Sequence, residues 1–332
     1  MTDRLWRALR AGGLQNISLI GALIGVLALF GYLNPNYLSW SNIAVIGQTV
    51  TIAGLLAVVQ TAVIICGGID ISVGSQAGLA AVVSSMVFAA TGDGLANGSS
   101  LIAVLVALAV GAVCGVVNGV IIVYGRVNAI IATLAMLAAY KGIAQLLSGG
   151  RAQGYVLGDD LFIFIARGSI LGLPSMVWIL LAVALAVHML LKLTDIGRNM
   201  YAIGGNSIAA RLAGININRY IIAVYALVGV VAALAGIILA ARTGSGQPTA
   251  GSEGLELKAI TAAFLGGCAI AGGRGGIGGT LLAVAVLGAL ENGLIVVGVN
   301  PFWQNVAQGL LLVVAVVIQQ RRTGERAVGL PG

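Results

Sequence analysis

Few side chains in this sequence can do chemistry, and most of them sit in or beside long apolar runs. Glu291 lies about thirteen residues into one such run. A charge at the centre of a bilayer costs about 2.5–3.5 kcal/mol on insertion scales, so Glu291 must face protein or water. Three roles are open to it: pairing with a basic residue such as Lys141, lining a pathway, or staying neutral. Asp70 opens another run, in Gly68-Ile69-Asp70-Ile71-Ser72. There a carboxylate can cap free backbone N–H groups at the positive end of a helix dipole, with Ser72 and Ser75 assisting, or it can serve as a gate or coupling group. Glu256 opens a later run in Gly254-Leu255-Glu256-Leu257. The amides Asn118, Asn292, Gln304 and Gln308 can pass a neutral polyol along a pathway, and they can equally tie helices together.

Other chemistries are excluded by what is missing. A phosphate-cradling loop needs glycines followed by Lys and then Ser or Thr. The lysines are Lys141, Lys192 and Lys258, followed by Gly142, Leu193 and Ala259. The glycine-rich stretch Gly272–Gly279 has no strand before it and reads as a tight hairpin between two helices. His188 is the single histidine and suits a packing or polar-contact role. Cys66, Cys114 and Cys268 fall within or at the ends of apolar runs and behave as small hydrophobes. No catalytic residue, cofactor or metal ligand set is expected.

The elements that position these residues follow from composition. Of 332 residues, 59% are hydrophobic and 8% charged, where a soluble chain carries roughly 25% charged residues. This rules out a soluble enzyme and a disordered chain. The excess of basic residues suits cytoplasmic loops and anionic lipid rather than nucleic acid. Ten runs are long enough to cross the roughly 30 Å of hydrocarbon: 17–33, 43–66, 71–91, 101–124, 128–148, 175–192, 220–241, 255–272, 278–299 and 302–319. The expected fold is all-α, a polytopic membrane protein of about ten transmembrane helices forming a single domain over 1–332. With both termini inside, twelve of the 17 basic residues fall on the cytoplasmic side, as the positive-inside rule asks. No cleavage site follows the first run, which is read as a span rather than a signal peptide.

Two short elements recur. Gly68–Ile71 resembles Gly254–Leu257, and Asn118-Gly119 resembles Asn292-Gly293. Spans two to five then match spans seven to ten in opposite topology, an arrangement of transport proteins with a pathway at the repeat interface. Fifty glycines, about twice the usual share, permit the close helix approach on which packing in lipid depends. Pairs such as Gly67-Gly68 and Gly266-Gly267 are expected to serve that packing.

The cytoplasmic segment 194–219 is too polar to span. It contains a short helix with Asn206 or Ser207 as N-cap and Gly214 as its stop, suited to docking in a cleft of a partner. The competing reading is an interfacial helix lying on lipid.

Three blocks resemble one family, the permease subunits of bacterial ABC importers for ribose, xylose, galactose and related sugars. They are Cys66-Gly67-Gly68-Ile69-Asp70-Ile71-Ser72-Val73-Gly74-Ser75, then Gly197-Arg198 through Ile215, then Leu265-Gly266-Gly267 through Gly279-Thr280 with Asn292-Gly293-Leu294. The resemblance implies a permease of the bacterial inner membrane, paired with a second copy or paralogue. It further implies a cytoplasmic ABC ATPase docked on Gly204, Gly205, Asn206, Ser207, Ala209, Ala210, Arg211, Leu212 and Gly214. A periplasmic sugar-binding protein would meet loops near Arg151–Arg167 and Arg242–Glu256. Asn128, Leu255, Lys258 and Cys268 depart from the family's usual residues, which bears on substrate rather than fold. The alternative is an ion-coupled carrier or channel that works without an ATPase. The scarcity of intramembrane ionisable groups favours external powering.

Overall fold

The computed structural model describes residues 2–91, 99–154, 159–249 and 252–323. Among them lie thirteen α-helices: α1 (Thr2–Leu33), α2 (Trp40–Ile65), α3 (Val73–Thr91), α4 (Ser99–Tyr124), α5 (Ala129–Ser148), α6 (Asp160–Arg167), α7 (Ser175–Leu193), α8 (Asp195–Gly205), α9 (Ser207–Leu212), α10 (Ile217–Thr243), α11 (Leu255–Leu265), α12 (Ile277–Val296) and α13 (Pro301–Thr323). Eight are long and apolar enough to cross a membrane: α1 to α5, α7, α10 and α12.

One span expected from the sequence takes another form. The run 255–272 is an 11-residue helix, α11, followed by a loop. At 1.5 Å per residue α11 reaches about 16 Å, half of the hydrocarbon thickness. Gly267 stops it, with φ +100° in a region closed to most L-residues. The last run, 302–319, lies within the 23-residue helix α13.

Helix ends are set by local chemistry. Ser39 and Asn128 accept hydrogen bonds from Asn42 N and Ile130 N at the starts of α2 and α5. Asn128 thus supplies a cap at the position where the resembling family usually has proline. Gly149 and Gly244 close α5 and α10 in the left-handed conformation.

The core is centred on α2, α3 and α10. On α4, Gly111, Gly115 and Gly119 recur every four residues and face α10. A Cβ at Gly119 would lie 2.7 Å from Ile222 Cα, and Cβ atoms at Gly111 and Gly115 would overlap the carbonyl oxygens of Gly229 and Tyr225. The small-xxx-small face lets the two backbones touch, which in lipid replaces the hydrophobic drive for association.

Packing partners repeat along the chain. As α10 packs on α3 and α4, α2 packs on α11 and α12; as α3 packs on α5, α11 packs on α13. The repeat of α2–α5 in α10–α13 is therefore present at the level of helices.

One end of the bundle carries α6 and two short antiparallel pairs. Strand β1 (Gln153–Gly154) pairs with β4 (Ser245–Gly246), so the loops after α5 and α10 are joined. Strand β2 (Ser169–Ile170) pairs with β3 (Leu173–Pro174). Trp40 and Trp178 tie this hairpin to α2 and α7 by donating to Gly172 O (3.2 Å) and Ile170 O (3.0 Å). The other end carries α8, α9 and the 266–276 loop.

Candidate functional site

Three constellations hold the polar residues singled out from sequence. In the first, Asp70 is fully buried in the turn between α2 and α3. Its Oδ1 accepts from Ser72 N (2.8 Å) and Ser72 Oγ (2.6 Å), and its Oδ2 from Asn118 Nδ2 (3.2 Å) and Gln76 Nε2 (3.3 Å). Tyr140 of α5 donates to Asn118 Oδ1 at 2.9 Å. Four donors on one carboxylate are the partners an ionised group needs when buried. The carboxylate turns the chain at Ser72, one residue ahead of α3, and ties α3 to α4 and, through Asn118, to α5. Ser75 donates to Ser72 O and does not reach the carboxylate.

The second constellation lies around α11 and α12. Glu291 pairs with Lys258, whose Nζ lies 2.7 and 2.8 Å from the two carboxylate oxygens. Lys141, the partner suggested from sequence, pairs instead with Glu253. Lys258 wins because α11 is short and its loop folds α12 back alongside it. A cleft opens beside the pair, between α2, α11, α12 and α13, and Gln304 also lines it. Gln308 is on α13, and its side chain lies outside the described residues.

The matched Asn and acidic residues of the two repeats do not make matching contacts. Asn118 meets Asp70, whereas Asn292 accepts from Asn42 Nδ2 at 2.9 Å. Glu256 accepts from Gly254 N at 3.2 Å and lies against Gly74, where it would overlap any Cβ.

The third constellation is the segment 194–219. Thr194 caps α8 by accepting from Gly197 N (3.2 Å), and Asn206 caps α9 by accepting from Ala209 N (3.0 Å). Gly214, at φ +82°, ends it. On the six-residue α9 the exposed residues include Ile208 (73%) and Leu212 (85%), with Arg211 exposed between them. Ile208, where the docking segment Ile208–Ile215 read from the sequence begins, stands at i, i+4 spacing to Leu212 and marks one helix face with it. Ala210, by contrast, is buried with Ile203 and Ile217, so it seats the helix on the bundle.

Gly204 is also turned inward. Its Cα lies where the end of α2 and the 266–276 loop meet; a Cβ would overlap the Ile65 carbonyl oxygen and come within 2.6 Å of Gly273 N. Gly273 N donates to Ile65 O at 2.9 Å, and Tyr201 OH donates to Gly275 O at 2.9 Å. Burial pushes the Tyr201 phenol above its usual pKa, with a smaller push from Cys268, so it stays a protonated donor across the neutral range. Gly67, at φ +89°, ends α2 at the same junction. The paired glycines thus do more than pack: Gly67 and Gly267 stop helices, and Gly266 lets the backbone of Thr280 approach.

The described residues thus form a bundle of long apolar helices with buried polar turns and an exposed short helix at one end. A family model described as "Branched-chain amino acid transport system / permease component" matches residues 41–316. The chain belongs to that permease family. It is 41% identical to the ribose import permease of Escherichia coli K12 over 303 residues, covering 91% of this chain and 92% of that one. It is 36% identical to the ribose import permease of Bacillus subtilis 168, covering 94% and 95%. With the L-arabinose transport system permease of Escherichia coli K12 it shares 37% identity, covering 86% and 84%. No solved structure matches. The chain is an all-α, multi-pass membrane protein, a transport subunit rather than an enzyme.

Proposed function

We propose that this chain is the membrane permease of an importer for a small sugar or related polyol, powered by a separate cytoplasmic ATPase and fed by a periplasmic binding protein. The curated relatives are named for ribose and arabinose, which supports the substrate class. The observation that carries the coupling is the exposed Ile208–Arg211–Leu212 face on a capped helix, held to the bundle through Gly204. Two aliphatic side chains flanking an arginine are suited to a groove in a protein partner. In this reading α9 faces the cytoplasm, both chain termini lie on that side, and the joined β1–β4 loops face the binding protein.

The mechanism follows from the joint. ATP-driven approach of two ATPase subunits displaces α9. Backbone contact at Gly204 transfers that displacement to the end of α2 and to the 266–276 loop, and hence to the starts of α3 and α12. Access to the pathway alternates only because ATP binds the two states unequally.

The test is the double substitution Ile208→Asp with Leu212→Asp. Both residues are exposed, so the permease is expected to fold and reach the membrane normally. Co-purification of the ATPase is expected to fall by about tenfold or more, as loss of at least 1.4 kcal/mol from an interface gives. Undiminished co-purification would remove α9 as the docking element. An ion-coupled carrier instead predicts no ATPase co-purification even with the unsubstituted chain, together with uptake by the chain alone.

A further inference from the structure

The two repeats share packing partners but do not fill the same space. Between α3, α4 and α5 the interface is solid, with Leu79, Val82, Cys114 and Tyr140 buried in it. Between α11, α12 and α13 lies a cleft that α2 also borders. Its walls are apolar, including Val50, Leu287 and Leu311, and its charged groups are Lys258 and Glu291.

We propose that this cleft binds a neutral polyhydroxylated solute during transport, through Glu291, Lys258 and Gln304. The inference rests on the sugar-permease reading above and assigns the contact site within it. Three observations select the ligand chemistry. The Lys258–Glu291 pair balances its own charge, so an anion is opposed by Glu291 and a cation by Lys258. Gln304 Nε2 is buried with no acceptor among the described residues, and buried donors are nearly always paired. The carboxylate of Glu291 keeps acceptor capacity beyond its two bonds to Lys258.

A hydroxyl both accepts and donates, so a polyol can satisfy the orphan amide and the spare lone pairs, while its C–H faces lie on the apolar walls. A lipid chain can do neither, and it would leave a half-exposed ion pair facing hydrocarbon, where charged groups are costly.

The experiment uses the complete complex with ATPase and binding protein in nanodiscs, where both membrane faces are accessible. The sugar is the one that the unsubstituted complex transports in proteoliposomes, chosen from a panel of aldoses that includes ribose and L-arabinose. Gln304→Cys is treated with a charged, membrane-impermeant thiol reagent, with the unsubstituted chain as the background for its own three cysteines. The proposal expects labelling, and slower labelling when the sugar is present. Labelling only by an apolar maleimide, or a charged-reagent rate indifferent to sugar, overturns it. Should Gln304→Cys fail to assemble, Gln304→Asn replaces it, with uptake kinetics as the readout. A KM raised by roughly three- to tenfold, the worth of one hydrogen bond, is expected, and an unchanged KM overturns the assignment. If the unsubstituted complex transports no aldose with ATP, the sugar-permease reading itself fails, and that outcome is distinct from a sugar-insensitive cleft.

Discussion

Gly204 is the residue at which the account is most exposed to test. Its hydrogen stands where any side chain would meet backbone atoms of Ile65 and Gly273, which cannot rotate away. Gly204→Ala is expected to displace the joint at a cost of about 1–3 kcal/mol, the usual penalty of overpacking. Because the exposed face of α9 is untouched, ATPase binding should persist while sugar moved per ATP hydrolysed falls. Unchanged coupling of uptake to hydrolysis would show that the joint transmits nothing. The residue types that matter were mostly readable beforehand, since a carboxylate or glycine in an apolar run is conspicuous. Their partners were not. Asp70 suggested a cap on backbone N–H groups, and it does accept from Ser72 N, but it also accepts from the side chains of Ser72, Gln76 and Asn118, the last 48 residues away. Glu291 suggested Lys141, yet three-dimensional packing delivers Lys258.

Elements divide in the same way. Long spans such as α2, α4 and α10 were legible because apolar length alone defines them. The half-helix α11 was not, because 255–272 stays apolar through the point where it stops. What ends it is a backbone conformation at Gly267, and hydropathy carries no trace of φ. Gly267→Ala is expected to destabilise the solubilised protein by at least about 1 kcal/mol, since Ala at positive φ is strained and the Gln15 side chain lies within 2.8 Å of the new Cβ. Gly278→Ala, on α12 with open space around its Cβ position, should be neutral or slightly stabilising. The comparison is read as thermal unfolding of the two variants in one detergent, and equal effects would deny Gly267 its stopping role. The short helix α9 was legible from its cap and its terminal glycine. Its inward and outward faces were not, which is why the buried Ala210 was grouped with the docking residues.

At the scale of the whole molecule, low charge content excluded a soluble fold, and the internal repeat was visible from two short elements. The structure adds that the repeat is one of packing rather than of side-chain chemistry. Asp70–Asn118 has no counterpart in Glu256 and Asn292. A bundle symmetric in its helices and asymmetric in its polar groups can tilt as two similar halves while holding solute at one place. In the proposed function, energy for that motion enters at α9 from a separate ATPase. Reconstitution in liposomes tests this most directly: uptake of labelled sugar by the permease alone, with an ion gradient, against uptake by permease, ATPase and binding protein together with ATP. The account predicts transport only in the complete, ATP-supplied system, and gradient-driven uptake by the permease alone would contradict it.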